Sequence, residues 1–379
     1  MIRPVKILHT GDIHLDSPFS RLDARRAEIR RSELRAAFTS MLTYARVNDV
    51  DLILIAGDLF DSEFVTRETV GLIVREFEKC RSQIFIVAGN HDCITPSSIY
   101  AKEGIFPSNV HIFKSDEVEK ISLEELGVDV YGYSYMTSEM HENPIVGRHV
   151  ENENNLNILL CHADITSKSS ADSPIDEQMI SSFGADYTAL GHLHNAPEIK
   201  DVDGCCYAYC GCLESRDFGE CGMKGAVLIE ADKEMGFANL KVNRVRFSKR
   251  RYEKEELNVD GAETQGEIAE AIEDFINMRG YGEETLLSLT LKGAVTPSLV
   301  INTDALEKRF TELFSIEITD STVPAEDIEA LGDDVTVKGQ FYRELRPLIE
   351  SGTDAEKKLA QAALRYGLSA LAGENIVDY

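Results

Sequence analysis

The 379-residue chain contains no apolar run that approaches the roughly 20 residues of a membrane-spanning helix. Its N-terminus, MIRPVKILHTGD, turns polar too early for a signal peptide, so we expect a cytoplasmic protein without a membrane partner. Internal repeats and low-complexity segments are also missing. The chain is 43% hydrophobic with only 26 Gly and 10 Pro, which excludes disordered and collagen-like classes.

Positive charge is scarce. The sequence has 39 Lys and Arg against 66 Asp and Glu, which gives a formal net charge of -27. A field of this sign repels nucleic acid over most of a protein surface. Any phosphate-bearing substrate would have to be attracted locally, by metal ions or by a short basic segment.

Short apolar runs alternate with amphipathic segments in the first two thirds of the chain. Helix-period segments near 23–48 and 66–81 separate the first three runs, which predicts parallel crossovers and an α/β core. Two later runs, 128–134 and 225–230, lack long intervening helices and predict a second, mixed sheet. The five runs that predict buried strands are 5–9, 51–57, 83–89, 156–162 and 186–191.

The composition shifts near residue 250, where a smaller unit is predicted to begin. The predicted elements of this unit are a helix at 265–279, a strand at 286–293, a helix at about 303–314 and a strand at 316–319. An acidic stretch then leads to two further predicted helices, 336–350 and 354–371. The pattern therefore predicts three domains, 1–250, 251–325 and 326–379.

Polar residues follow the predicted strands where each strand ends. Because ligands bind beyond the carboxyl ends of strands in α/β sheets, we expect these residues to converge. Carboxylate and imidazole ligands suit a pair of divalent metals, which can polarise a phosphoryl oxygen and generate a hydroxide near neutral pH. Each motif alone is more often a turn or a capped strand, but together they predict a dinuclear metal site. The residues are Asp12, His14, Asp58, Asp61, Asn90, His91, His162, His192 and His194.

The order DxH, GDxxD, GNHD, H and GHxH resembles that of the calcineurin-like metallophosphoesterases over residues 5 to about 230. The wording HTGDIHLDSPF and AGDLFD, with an extension after the catalytic domain, is similar to that of the SbcD-like and YhaO-like DNA repair nucleases. The resemblance implies a two-sheet αββα sandwich flanked by helices. It also implies a small α/β capping domain at 251–325 and a helical ATPase-binding segment within 326–379.

The resemblance further implies roles for individual residues, with manganese as the typical metal. His91 would contact the scissile phosphate and act as general acid, with Asp61 orienting it. The alternative for Asp61 is an N-cap or turn carboxylate. One metal would be bound by Asp12, His14, Asp58 and His194, and the other by Asp58, Asn90, His162 and His192.

The resemblance implies a DNA exonuclease that works as a homodimer with an SMC-like ABC ATPase. Two basic segments, 21–35 and 241–251, support DNA binding, and we expect Arg21, Arg25 and Arg246 to contact it. In the alternative, these segments are solvated, salt-bridged faces and the terminal helices pack onto their own core. A phosphodiesterase for a small nucleotide and a scaffold subunit of the ATPase complex also remain open.

Five cysteines lie within 17 residues, from Cys205 to Cys221. Their spacing does not match the paired CxxC motifs of zinc or iron–sulfur sites. We therefore expect reduced, buried thiols that take the place of small residues, with metal binding or redox sensing as the alternative.

Overall fold

A computed structural model describes residues 3–234, 236–296, 299–325 and 328–372. The chain divides into two compact units, 1–253 and 254–379. Within the residues that the structure describes, no helix is both long enough and apolar enough to cross a membrane. In chain order the first elements are β1 (Val5–Thr10), α1 (Ala24–Val47), β2 (Leu52–Ala56), α2 (Arg67–Glu78), β3 (Gln83–Val87), β4 (Val110–Ile112), β5 (Glu119–Leu123), β6 (Val128–Gly132), β7 (Leu156–His162), α3 (Glu177–Phe183), β8 (Tyr187–Gly191), β9 (Lys200–Val202), β10 (Cys205–Tyr209), β11 (Gly225–Glu234), β12 (Phe237–Arg246) and β13 (Arg251–Asn258).

The first sheet has the strand order β12-β11-β1-β2-β3-β4. Strands β1 to β4 are parallel, as expected for strands joined by crossover helices. Alternate side chains point to opposite faces. Ile53 and Ile55 pack in one core with residues of α1 and α2, whereas Leu52 and Leu54 pack in another core with the second sheet.

The second sheet has the order β5-β6-β7-β8-β10-β9, and β6, β7, β8 and β10 are parallel. Its inner face, which includes Val130 and Ile158, packs against the first sheet. Its outer face packs Leu159 with Ile180 and Phe183 of α3. The architecture is therefore a two-sheet α/β sandwich flanked by helices, and the predicted fold class is confirmed.

One strand lies in a different sheet from the one predicted. The run 225–230 was expected in the second sheet, but β11 pairs antiparallel with β1 in the first sheet, from Val5↔Ala231 to His9↔Val227. It also forms a long hairpin with β12, a strand that the sequence pattern did not predict. Strand β12 lies at the sheet edge with alternating exposed residues, so it has no continuous apolar run.

The second unit packs helix α4 (Gln265–Arg279) on a three-stranded sheet of β13, β14 (Thr285–Val295) and β15 (Ser315–Pro324). The predicted helix 303–314 is shorter than expected, because it ends at Glu307. The carboxylate of Glu307 accepts a hydrogen bond from the Ile318 N–H at 2.7 Å, and the chain beyond the helix buries Phe310 and Leu313. The remaining elements are α5 (Thr303–Glu307), α6 (Ile328–Asp333), α7 (Val337–Ser351) and α8 (Asp354–Ala372).

The last three helices form a small core of their own. Tyr342, Leu364 and Leu368 are buried together with Leu331. Leu348 and Leu359 remain 43% and 73% exposed. Residues 326, 327 and 373–379 of the predicted ATPase-binding segment lie outside the described residues.

A buried ion cluster connects α1 to the end of the first unit. The fully buried Arg30 donates hydrogen bonds at 2.7 Å to both Glu33 and Glu214. Arg250 donates to Glu33 at 2.6 Å. Burial alone would raise the pKa of Glu33, but hydrogen bonds from Arg250 and Arg30 outweigh it and lower the pKa to about 2.

The Glu33→Ala variant is expected to lose about 3–5 kcal/mol of unfolding free energy, because it removes a buried carboxylate that binds both Arg30 and Arg250. Urea denaturation of the full chain measures this loss. Glu28→Ala on the same helix is the matched control, since Glu28 pairs with Arg31 at the surface. Equal stability of the two variants would contradict the prediction.

Candidate metal centre

The carboxyl ends of β1, β2 and β3 meet those of β7 and β8 at one end of the sandwich. The segments after β1 and β2 bind each other through main-chain hydrogen bonds. The Asp12 N–H donates to Gly57 O at 3.1 Å, and the His14 N–H donates to Asp58 O at 2.9 Å. The two segments therefore fix each other's side chains from the backbone outward.

Four of the predicted ligands have left-handed backbone conformations. Their φ angles are 47° for Asp12, 50° for His14, 50° for Asp58 and 102° for His192. Residues other than glycine rarely adopt these angles, and such strain is typical of functional sites.

The first group of ligand atoms is compact. Asp12, His14, Asp58 and His194 each offer an atom, and these atoms all lie within 4.8 Å of one another. His14 Nε2 lies 3.2 Å from His194 Nε2 and 3.5 Å from Asp58 Oδ2. This is the set that the family resemblance implies for one metal.

The chemistry of this donor set fits a cation. His194 Nδ1 lies 2.7 Å from Glu220 Oε1, and His14 Nδ1 lies 3.3 Å from Asp61 Oδ1. Glu220 orients the His194 ring through Nδ1, so the Nε2 atoms of the two rings face each other at 3.2 Å. A divalent cation at this position would take the place of the proton between the two nitrogens.

The second group is more open. His162 Nδ1 donates to Ala56 O at 2.9 Å, which leaves Nε2 as an acceptor 3.0 Å from Asn90 Oδ1 and 3.5 Å from Asp58 Oδ2. The His192 ring centroid lies 5.3 Å from that of His162, and its Nε2 lies 4.0 Å from Asp172 Oδ2. Asp58 Oδ2 thus lies at the same distance from a histidine of each group.

Two glycines permit the close approach of these groups. A Cβ on Gly57, whose φ is 84°, would collide with the His162 ring. A Cβ on Gly89 would collide with the Asp58 carboxylate. Any larger residue would displace a candidate ligand.

His91 lies at the exposed mouth of the site. Its N–H donates to Asp58 Oδ1 at 3.1 Å, and its ring Nδ1 lies 3.1 Å from the main-chain oxygen of Asp61. The family resemblance implies that the Asp61 side chain orients His91. In the structure this carboxylate instead lies beside His14 and accepts a hydrogen bond from Arg216 at 3.0 Å. Asp61 therefore contacts the His91 ring through its backbone.

Sequence reasoning missed Arg216 and Glu220. Arg216 Nη2 donates to Glu220 Oε1 at 3.0 Å, and its Nη1 reaches Asp61. Both side chains contact Nδ1 of His194. Arg216 also binds Asp61, whose Oδ1 lies 3.3 Å from Nδ1 of His14. Neither residue belongs to one of the short motifs that follow a predicted strand. The spacing of the cysteines around them did not indicate a functional site either.

Replacing Glu220 with Gln is expected to weaken metal binding about 10–100-fold, because it removes the carboxylate that holds the Nδ1 proton of His194. Isothermal titration with Mn²⁺ measures this change. Glu177→Gln, at a surface glutamate that pairs with Lys200, is the control. Unchanged affinity in Glu220→Gln would show that His194 needs no such partner.

Burial shifts the protonation of the site. It raises the pKa of Asp12 to about 7 and raises that of Asp58, while it lowers the pKa of His162 to about 4. Burial would also lower the pKa of His194, but its hydrogen bond to Glu220 outweighs this effect and raises it. In the metal-free protein, carboxyl groups and His194 therefore hold protons that a cation must displace.

Cation affinity is accordingly expected to fall as the pH decreases through 7, with proton release on binding at pH 6. The imidazole of His162 stays neutral there and does not compete for protons. Titrations with Mn²⁺ at pH 6 and 8, in buffers of different ionisation enthalpy, count the protons released. Uptake without proton release at pH 6 would contradict the expectation.

Among the described residues, the three arginines predicted to contact DNA make no hydrogen bond to a predicted metal ligand. Arg21 is 71% exposed at its side chain and lies 4.0 Å from Asp217, and Arg25 is exposed in the first turn of α1. Arg246 donates to Ser248 O at 3.1 Å. Elsewhere in the basic segments, Arg31 pairs with Glu28 and Arg250 with Glu33, as the salt-bridged alternative predicts.

The cysteine-rich stretch supports buried thiols. Cys205, Cys206, Cys210 and Cys212 are buried, and burial raises the pKa of each thiol. Among the described residues, the compact groups of potential metal ligands contain no cysteine.

A helix-flanked double sheet that gathers carboxylates and histidines at the carboxyl ends of its strands defines a metallophosphoesterase. The family Calcineurin-like phosphoesterase matches residues 5–196, half of the chain. The chain belongs to this family, and the predicted resemblance is confirmed.

The relatives differ in how much of their length is matched. The metallophosphoesterase YhaO of Bacillus subtilis, itself uncharacterized, is 26% identical over 77% of this chain and 73% of its own. The DNA double-strand break repair protein Mre11 of Methanopyrus kandleri is 24% identical over 60% of this chain and 54% of its own. A subunit of the nuclease SbcCD from Staphylococcus epidermidis is 24% identical over 52% of this chain and 59% of its own.

The solved structures to which this chain is similar include TT1561 of Thermus thermophilus, which is 13% identical over 64% of this chain and all of its own, with a TM-score of 0.40. GAP50, the anchor in the inner membrane complex of Plasmodium, is 13% identical over 65% of this chain and 85% of its own, also with a TM-score of 0.40.

Proposed function

We propose that this protein is a metal-dependent DNA exonuclease of DNA repair. The observation that carries the proposal is the position of Asp58, whose Oδ2 lies 3.5 Å from a histidine of each ligand group. One carboxylate shared by two groups suits a pair of metals that act on one phosphate. The repair role in the name of the Mre11 relative and the nuclease role in that of the SbcCD relative favour DNA as the phosphodiester.

The two ligand groups would divide the metals as the sequence suggests. Divalent metals, with Mn²⁺ as our proposal, would supply positive charge that polarises the phosphoryl oxygen and would lower the pKa of water toward neutrality. Asp12, His14 and His194 would hold one ion, and Asn90, His162 and His192 the other. Asp58 would bind both.

His91 would donate a proton to the leaving oxygen. Hydrolysis joins the oxygen of water to phosphorus and breaks the bond to the leaving oxygen, which must gain a proton. The Asp61 main-chain oxygen beside His91 Nδ1 favours a ring with Nε2 toward the open mouth. In its protonated form that ring can donate from Nε2, as a general acid does.

We also propose that the protein works as a homodimer with an SMC-like ABC ATPase. A subunit role is part of the name of the SbcCD relative. In this chain, exposed leucines on α7 and α8 would offer apolar contact to a partner helix. Residues 251–325 would then act as a capping domain beside the DNA.

The test is to incubate purified protein and Mn²⁺ with labelled linear DNA and, separately, with bis-p-nitrophenyl phosphate. The proposal predicts loss of both substrates. Hydrolysis of bis-p-nitrophenyl phosphate without DNA loss would favour a small-nucleotide phosphodiesterase, which the net charge of -27 also suits. Failure on both substrates, with tight binding to a coiled-coil ATPase, would favour a scaffold.

A further inference from the structure

A cleft with a volume of about 510 Å³ opens beside His194 in the first unit. Three cationic side chains line it, namely Lys224, Arg244 and Arg246. None of the described residues that line this basic cleft is Asp or Glu. In a chain with 66 acidic residues, such a cleft stands out from the surrounding surface.

The strand geometry of β12 explains the two arginines. Val242 packs against the core between the two sheets. Side chains two residues apart share one face of a strand, so Arg244 and Arg246 continue this face beyond the core. Arg244 Nη2 donates to Pro197 O at 2.7 Å, which fixes its direction.

Lys224 brings the third charge next to the metal centre. The residue is only 8% exposed. Its Nζ donates to Asn195 Oδ1 at 2.6 Å and to the main-chain oxygen of His194 at 3.2 Å. The cleft therefore shares a wall with a candidate metal ligand.

No carboxylate of the described residues forms an ion pair with a cation of the basic cleft. Lys224, Arg244 and Arg246 hydrogen bond to main-chain or amide oxygens, which carry no net charge. The buried Arg30 and the half-buried Arg216, in contrast, each bind carboxylates. Cations that retain their charge in a concave site attract an anion strongly.

We propose that the basic cleft binds a backbone phosphate of the substrate strand beside the scissile phosphate. This inference rests on the proposed function and narrows its substrate class. A substrate that fills both the metal centre and the cleft carries at least two phosphates, as a polynucleotide does. The net charge of -27 repels nucleic acid from most of the surface. The basic cleft would supply the local attraction for phosphate that such a chain needs beside its metal centre.

The decisive variant is Arg246→Gln, since this exposed side chain makes one hydrogen bond, to Ser248 O. Fluorescence anisotropy with a labelled single strand of about 12 nucleotides, in EDTA so that no cleavage occurs, gives the Kd at several salt concentrations. We expect the Kd to rise about tenfold. The slope of log K against log salt should fall by about 0.7, the value for one phosphate contact on a single strand.

Lys241→Gln is the matched control. Lys241 lies on the same strand, on the opposite face, 3.5 Å from Glu230, and its replacement removes the same charge. The Kd should change less than about twofold. Equal effects of the two variants, no effect of Arg246→Gln, or no binding by the unmodified protein would each overturn the proposal.

A kinetic comparison separates this inference from the proposed function. Arg246→Gln should lower the ratio of kcat/KM on DNA to kcat/KM on bis-p-nitrophenyl phosphate about tenfold, because the latter has a single phosphate. If the protein cleaves DNA and Arg246→Gln leaves this ratio unchanged, the phosphate-binding role of the basic cleft is wrong, whereas the proposed nuclease function still stands. An unmodified protein that binds the strand through Arg246 but cleaves no DNA would instead contradict the nuclease proposal.

Discussion

Asp58→Asn is expected to abolish phosphodiesterase activity, with a loss of about 10³-fold or more. Asparagine has nearly the same shape but removes the negative charge at the one carboxylate that lies 3.5 Å from His14 and from His162. Both ligand groups then lose an anionic donor. Assays with bis-p-nitrophenyl phosphate and elemental analysis of bound Mn²⁺ should show activity and metal content falling together.

Asp129→Asn provides the control for this substitution. Asp129 is as deeply buried as Asp58, at 2% against 1% exposure, but it lies on β6 and its carboxylate accepts a hydrogen bond from Asn155. This variant should retain its metal. Full metal content in Asp58→Asn would contradict the shared-ligand arrangement, whatever the activity.

For the proposed nuclease, His91→Asn is expected to keep the bound metals and still lose about 10²–10⁴-fold in activity on DNA. His91 belongs to neither four-residue group of predicted ligands, and its ring lies at the mouth of the site. It does offer a ligand atom within 4.8 Å of those of His14 and Asp61, so the metal content of the variant must be measured. A general acid matters most when the leaving oxygen is a poor leaving group. The loss should therefore be much smaller for bis-p-nitrophenyl phosphate, because p-nitrophenolate departs without a proton.

The leaving-group comparison distinguishes proton donation from substrate contact. If His91 only contacted the phosphate, both substrates would lose activity to the same extent. His141→Asn is the control, since His141 is an exposed histidine beside Glu139 and should behave like the unmodified protein. Loss of metal from His91→Asn would show that this histidine is itself a ligand.

The sequence predicted the parts of the site that follow directly from strands. Asp12, Asp58 and His162 stand at strand ends, and parallel strands bring such ends together. The pairing of Asp58 with both histidine groups needed no information beyond this rule and the family resemblance. The two-sheet core was predictable for the same reason, because buried parallel strands are continuous apolar runs.

The rest of the site depends on contacts that no local pattern encodes. Glu220 reaches His194 from a loop, and the left-handed backbone of His14 results from main-chain bonds to the segment after β2. The sequence left two interpretations of the basic segments open, because charge in a sequence does not reveal its partner. Arg30 is as basic as Arg246, but Glu33 and Glu214 neutralise it inside the fold.

The cross-sheet hydrogen bond from His162 to Ala56 has a consequence for the whole sandwich. His14 and Asp58 follow strands of one sheet, whereas His162 and His194 come from strands of the other. Cations coordinated at this end would join the two layers, and their binding free energy would add to the free energy of unfolding. Chelation should therefore lower the melting temperature as well as stop hydrolysis. The metal-loaded form would be both the active form and the form in which the two sheets are bound to each other most strongly.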